Sequence, residues 1–304
     1  MMQSTRRMKN WFIRRMLFAG WSVYRAGVWR CDTALAESAA ALAWRVARRE
    51  KRCALAQIRA CMPDYDSPPR AENLARAMTR HLALAAVELL ALDRDRETML
   101  NRVRFAPGAL ERLEAVWSAR RGGLFATGHI GNWELMAAAI AASGPTATIV
   151  KGSYDPVLDE TLAGIRRRYR IEPISRGAPE LGERLKALFA AGVLLGVLID
   201  QDTRTPGVFV PFFGRPAWTT SGAAALAVRH RIPLLVGWIH RDGLDHTIHV
   251  EGPLTPDPAL AESEQITALT LQATARLEAA IRARPEQWVW FHERWKTRPA
   301  EESA

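Results

Sequence analysis

Acidic residues are scarce at the start of this 304-residue chain. Residues 1–60 hold only Asp32, Glu37 and Glu50 against thirteen Lys and Arg, which accounts for the whole formal charge of +10. Long apolar runs are also missing there, because Arg14, Arg15, Arg25 and Arg30 interrupt the stretch well short of the roughly 20 residues a bilayer span needs. That argues against a transmembrane helix, and no apolar core followed by a small-residue cleavage site suggests a signal peptide. Cysteine is limited to Cys31, Cys53 and Cys61, at spacings that match neither a zinc site nor a redox pair. They read as packing thiols in a reducing compartment. Sequence repeats, low-complexity tracts and a G-x-S-x-G nucleophile elbow are absent as well.

What the first 30 residues do contain is a mixture of Arg6, Arg7, Lys9, Arg14 and Arg15 with Trp11, Phe12, Trp21, Tyr24 and Trp29. Cations beside interfacial aromatics suit a segment lying on anionic lipid headgroups. A plain solvated basic helix and a nucleic-acid arm are the weaker readings. Nucleic acid is not expected as a partner.

At 48% hydrophobic the chain is able to bury a large core. Helical periodicity runs from about 10 to 61, with Leu17, Trp21, Tyr24 and Val28 on one face. Pro63, Pro68 and Pro69 break it, and a second helical stretch covers about 70–92. Beyond Pro107 short apolar strands (124–127, 147–150, 193–199) alternate with helices (109–120, 133–143, 155–169, 178–191). Further strands are expected at 208–213, 234–239 and 247–250, and a long helix at 261–284. The pattern predicts an α/β fold, a mostly parallel central sheet flanked by helices. The organisation expected is a basic, aromatic helical segment over 1–65 followed by a catalytic α/β domain over 66–304.

Gly128-His129-Ile130-Gly131-Asn132-Trp133-Glu134 follows a buried-type strand and precedes a strong helix former. Asn132 is a good N-cap, so His129 falls in a turn at the carboxyl end of a strand, where α/β proteins place ligand chemistry. Gly128 and Gly131 permit the bend. An imidazole there suits general-base work near neutrality, and a carboxylate on its other ring nitrogen would fix the tautomer. By itself a His followed five residues later by Glu is weak, and a lone His at a helix start is more often structural.

The block resembles the H-x-x-x-x-D/E motif of the lauroyl and myristoyl acyltransferases of lipid A biosynthesis, in its more specific G-H-x-G-N-W-E form. Further blocks follow in the family's order: Leu198-Ile199-Asp200-Gln201, then Val208 to Pro216, then Pro285 to Pro299. Arg166 fits the family's basic position after the second strand, while Arg170 stands where members commonly have Gly. The resemblance implies an acyltransferase core of the lysophospholipid-acyltransferase kind, with no cofactor. It implies acyl carrier protein, or acyl-CoA, as donor and a lipid A precursor as acceptor, at the cytoplasmic face of a bacterial inner membrane. It makes His129 the general base and Glu134 its favoured partner, with Asp200 as competitor. A related enzyme acylating another lipid would carry the same motif.

Asn132, Arg166, Gln201, Arg204, Arg215, Arg294 and Lys296 are the candidate substrate contacts, because guanidinium and ammonium groups grip phosphate or an acidic carrier. Each cation is as readily a solvated surface charge. Asp200 and Asp202 lack the third ligand or nucleotide loop a metal pair needs. Trp288, Trp290 and Trp295 read as core, and His240, His246 and His249 as structural residues of a hairpin. The competing classes are a serine esterase around Ser221, weakened by the missing elbow, and a non-catalytic membrane-surface protein, which gives no reason for the His129 block.

Overall fold

The computed structural model describes residues 32–150 and 156–299. The basic aromatic segment expected on lipid headgroups therefore lies outside the described residues. Three helices lead in: α1 (Asp32–Val46), α2 (Arg48–Cys61) and the long α3 (Pro68–Arg94), the last with Pro at its start, where a missing N–H costs nothing. The single helix expected from periodicity is thus split at Ala47, and the proline-rich break holds a 3-10 turn, Pro63–Tyr65. Ala54, Ile58 and Cys61 of α2 belong to the same core as the sheet, so no gap in packing separates residues 32–65 from the rest.

After α4 (Arg96–Asn101) come β1 (Val103–Phe105), α5 (Ala109–Ser118), β2 (Gly123–Thr127), α6 (Trp133–Ser143), β3 (Thr146–Val150), α7 (Pro156–Arg168), β4 (Ile171–Ser175), α8 (Leu181–Ala190) and β5 (Leu194–Leu198). The hairpin β6 (Gly207–Phe212) and β7 (Arg215–Thr220) follows. Then come α9 (Gly222–His230), β8 (Leu234–Asp242), β9 (Asp245–Leu254) and α10 (Glu262–Ala283). Seven strands form one sheet in the order β1-β9-β8-β2-β5-β3-β4, parallel throughout except for the β8/β9 hairpin. The α/β expectation holds. The sequence pattern missed β1, β4 and β7: β1 has three residues, and β4 and β7 each carry a proline in the run, which weakens a strand signal.

β2 is buried at all five positions, as a central parallel strand must be when helices cover both faces. Its side chains alternate between two cores. Leu124 and Ala126 face a cluster with α8, α9, α10 and Trp288, whereas Phe125 meets Leu113 of α5 and Met136 and Ile140 of α6. This double burial holds the carboxyl end of β2 rigid, and residues 128–132 leave from there.

Candidate active site

Two close approaches shape the turn after β2. Gly131 has φ +64°, and a Cβ there would stand 2.0 Å from the carbonyl oxygen of Ile239 in β8; a Cβ at Gly128 would stand 3.1 Å from Asp200 Cγ. Glycine at both positions lets the turn press against the sheet and against Asp200. The C-terminal segment clamps it: the Gly131 N–H donates to the Gln287 carbonyl at 2.8 Å, and Ile130 pairs with Trp288 in an antiparallel bridge.

His129 Nδ1 lies 2.8 Å from Asp200 Oδ1, and the His129 backbone N–H donates to Asp200 Oδ2 at 2.7 Å. The Trp288 indole N–H donates to the same oxygen at 2.8 Å. Asp200 follows β5, the neighbour of β2, and its side chain is 1% exposed. Burial alone would raise its pKa. The charge of His129, with the hydrogen bonds from the His129 ring, Trp288 and the His129 backbone, outweighs that and holds the carboxyl well below the usual range. A buried, ionised Asp200 accepts a proton-bearing Nδ1, which leaves Nε2 as the basic nitrogen.

Glu134 is not that partner. The expected His129–Glu134 pair is replaced by an ion pair between Glu134 and Arg166, with Arg166 Nε 3.0 Å from Glu134 Oε2 and a second contact through Nη2. The physical reason is direction: Asn132 caps α6 by accepting the Leu135 N–H, and the second helical residue, Glu134, faces Arg166 at the end of α7. The two side chains line an apolar cleft between α6 and the sheet, with Phe125, Met136, Ile140 and Leu194 among its walls; its empty space, mouth included, is about 590 Å³. Trp133, also on the cleft, meets the His129 ring edge-on at 4.9 Å.

Gln201 Nε2 stands 3.2 Å from both ring nitrogens of His129 and 2.7 Å from His292 Nε2. Burial, then the neighbouring His129 charge, pushes the His292 pKa down to about 4, so His292 is a neutral acceptor. The two amide hydrogens of Gln201 then serve His129 Nε2 and His292 Nε2. His292 carries no assignment from sequence reasoning, although it sits inside the Pro285 to Pro299 block. Trp288, read there as core, is buried and also holds Asp200.

The remaining candidates divide by burial. Asn132 is buried and spans from its capping bond to Glu88, its Nδ2 donating to Glu88 Oε2 at 2.8 Å. Arg294 is fully buried, donating to the Trp218 carbonyl at 2.6 Å and to Thr219 Oγ1; burial lowers its pKa to about 10. Both are therefore held inside the fold by these partners. Arg204 is exposed, Arg215 lies over the Trp295 ring, and Lys296 pairs with Asp202 at 3.5 Å. Asp202 is further occupied by the Thr297 backbone N–H and hydroxyl. Glu88, which sequence reasoning passed over, is the hub of a buried network: Arg241 binds it through two nitrogens and His246 Nε2 lies 3.1 Å away.

A profile described as bacterial lipid A biosynthesis acyltransferase matches residues 3–297. Among curated proteins, a phosphatidylinositol mannoside acyltransferase of Mycobacterium tuberculosis (strain ATCC 25618 / H37Rv) is 26% identical over 194 residues, 62% of this chain and 59% of its own length. Its counterpart in Mycolicibacterium smegmatis is 24% identical over 191 residues, 60% of each. The chain thus spans about three fifths of the length of these relatives. Among the described residues no helix is long and apolar enough to cross a membrane.

Proposed function

Because this chain belongs to the family of bacterial lipid A biosynthesis acyltransferases, we propose that it transfers a fatty acyl group from a thioester to a hydroxyl of a sugar-bearing lipid, with His129 as general base. The observation that carries the reading is the buried Asp200 on His129 Nδ1, which makes Nε2 the nitrogen that can act as a base. The acceptor hydroxyl takes the place of the Gln201 amide at Nε2. As its oxygen attacks the thioester carbonyl, Nε2 takes the hydroxyl proton and Asp200 stabilises the imidazolium. The new C–O bond forms, the C–S bond breaks, and the departing sulfur takes the proton back as a thiol.

The apolar cleft beside Trp133 and Glu134 suits the acyl chain, since such pockets bind by burying hydrocarbon with few polar groups at the mouth. Glu134 fixes Arg166 at that mouth, presenting an oriented guanidinium to the polar end of a substrate. The family's name places it in lipid A biosynthesis, and the relatives' names speak of a phosphatidylinositol mannoside. A hydroxyl on a glycosylated lipid is the chemistry common to both. A lipid A precursor acylated from an acyl carrier protein at the inner face of a membrane is the finer reading, with acyl-CoA as alternative donor.

The test is acyl transfer in vitro, with mass spectrometry of the lipid product, for wild type and His129→Ala. Loss of at least ~10²-fold in turnover, the scale of removing a general base, is expected with the fold intact. Near-wild-type turnover in the variant would sink the mechanism.

A further inference from the structure

A second concave surface adjoins the site. On α2, Arg49, Arg52, Cys53, Ala56, Gln57 and Ala60 recur at helical spacing on one face, and this face forms a groove with Arg215, Trp295 and Lys296. The alanines keep the floor open, and the empty space is about 1360 Å³ with the mouth included. Four cations border it; Glu293 pairs with Arg49 at 3.1 Å and Asp202 with Lys296 at 3.5 Å, which leaves Arg52 and Arg215 without a carboxylate partner among the described residues. That leaves a positive surplus in a concave, partly apolar setting, where screening is weaker than on a flat face. The surplus calls for an anion, and concavity favours a group that enters over a planar bilayer.

A chain of contacts links the groove to His129, whose ring the cleft-lining Trp133 also meets. Gln57, on the groove floor, donates from Nε2 to the His292 carbonyl at 2.5 Å, and His292 Nε2 meets Gln201 at 2.7 Å. The His292 ring lies 5.4 Å from that of His129, whose other ring neighbour is Trp133 of the cleft. A thioester held at His129 with its hydrocarbon in the cleft has its thiol arm to place elsewhere, and the groove is the concavity of matching charge to which these contacts lead.

We propose that the groove formed by Arg49, Arg52, Arg215 and Lys296 is a phosphate subsite for the phosphorylated thiol arm of the acyl donor. This rests on the acyl-transfer reading above. Arg52 and Arg215 are the grip, since guanidinium groups pair phosphate bidentately, while Trp295 offers its face beside Arg215.

Cys53, a partly buried thiol in the groove, supplies a local probe. Its alkylation, located by peptide mass spectrometry, is followed with 4′-phosphopantetheine, with pantetheine lacking the phosphate, both S-methylated so that they do not consume the reagent, and with glycerol 1-phosphate as the lipid-headgroup phosphate. The expected result is that phosphopantetheine slows alkylation and pantetheine does not. The double variant Arg52→Gln, Arg215→Gln should need at least about tenfold more phosphopantetheine, the loss of one or two charge-assisted hydrogen bonds. In acyl transfer the same variant should raise donor KM by a similar factor with kcat largely kept. Equal protection by pantetheine, an undiminished double variant, or protection by glycerol 1-phosphate alone would overturn the assignment. His129→Ala should keep full protection. Protection without any transfer in wild type would sink the reaction and leave the anion site standing, whereas transfer without protection would sink the site alone.

Discussion

Asp200 holds His129 twice, through ring Nδ1 at 2.8 Å and through the backbone N–H at 2.7 Å. One carboxylate therefore sets both the tautomer of the imidazole and the position of the turn that carries it. Asp200→Asn keeps the shape and removes the charge that stabilises imidazolium. Turnover should fall by about 10²–10⁴-fold with acceptor KM little altered. Steady-state kinetics check this, and a loss under threefold would refute the dyad.

Glu134 should behave differently, because its partner is Arg166. Glu134→Gln releases the guanidinium at the cleft mouth, so a raised KM and a kcat loss smaller than that of Asp200→Asn are expected. Should Glu134→Gln instead show the greater kcat loss with KM unchanged, the roles argued from the hydrogen bonds would have to be exchanged.

Gly131→Ala should damage both stability and turnover. The left-handed backbone costs an L-residue roughly 1–2 kcal/mol, and the added carbon meets the Ile239 carbonyl, which belongs to a sheet strand and cannot swing aside. We expect a loss of at least about 2 kcal/mol in urea unfolding, larger than for Gly128→Ala, whose Cβ would meet only the Asp200 side chain at 3.1 Å or beyond.

Stability should fall as pH drops from neutrality. Burial pushes His81, His240 and His292 each down to about 4 in the fold, against ~6.5 in an unfolded chain. Between those values the unfolded chain binds protons the folded one refuses, so stability present above about pH 6.5 is lost progressively toward pH 4. For Glu88, burial raises the pKa, but the bonds from His246 and Arg241 prevail and bring it to about 2. Its contribution is present above ~4.3 and lost as pH falls toward 2, extending the decline in the same direction. Urea unfolding at stepped pH should show uptake of up to about three protons below pH 6.5. A flat profile from pH 7 to 4.5 would contradict the burial of these histidines.

Most of the strands and helices after residue 107, though not β4 and β7, were legible in the sequence, as were the turn carrying His129 and the cap at Asn132. Each is a local matter: two-residue and 3.6-residue periodicities, a capping side chain and glycines that allow a bend all act within a few positions. What touches what was decided by the tertiary structure. Glu134 and Asp200 both stand where a partner of His129 could, and only the adjacency of β2 and β5, with the direction of the first turn of α6, brings Asp200 to Nδ1 and sends Glu134 to Arg166. Arg294 and Arg215 look alike as charges in a chain, yet one is sealed beneath Trp218 and the other borders an open groove. The Glu88 network joins residues 44 to 158 positions apart, and no short-range pattern encodes such a contact. Burial and long-range pairing are properties of the assembled sheet and the cores on its faces, so they follow from the fold as a whole.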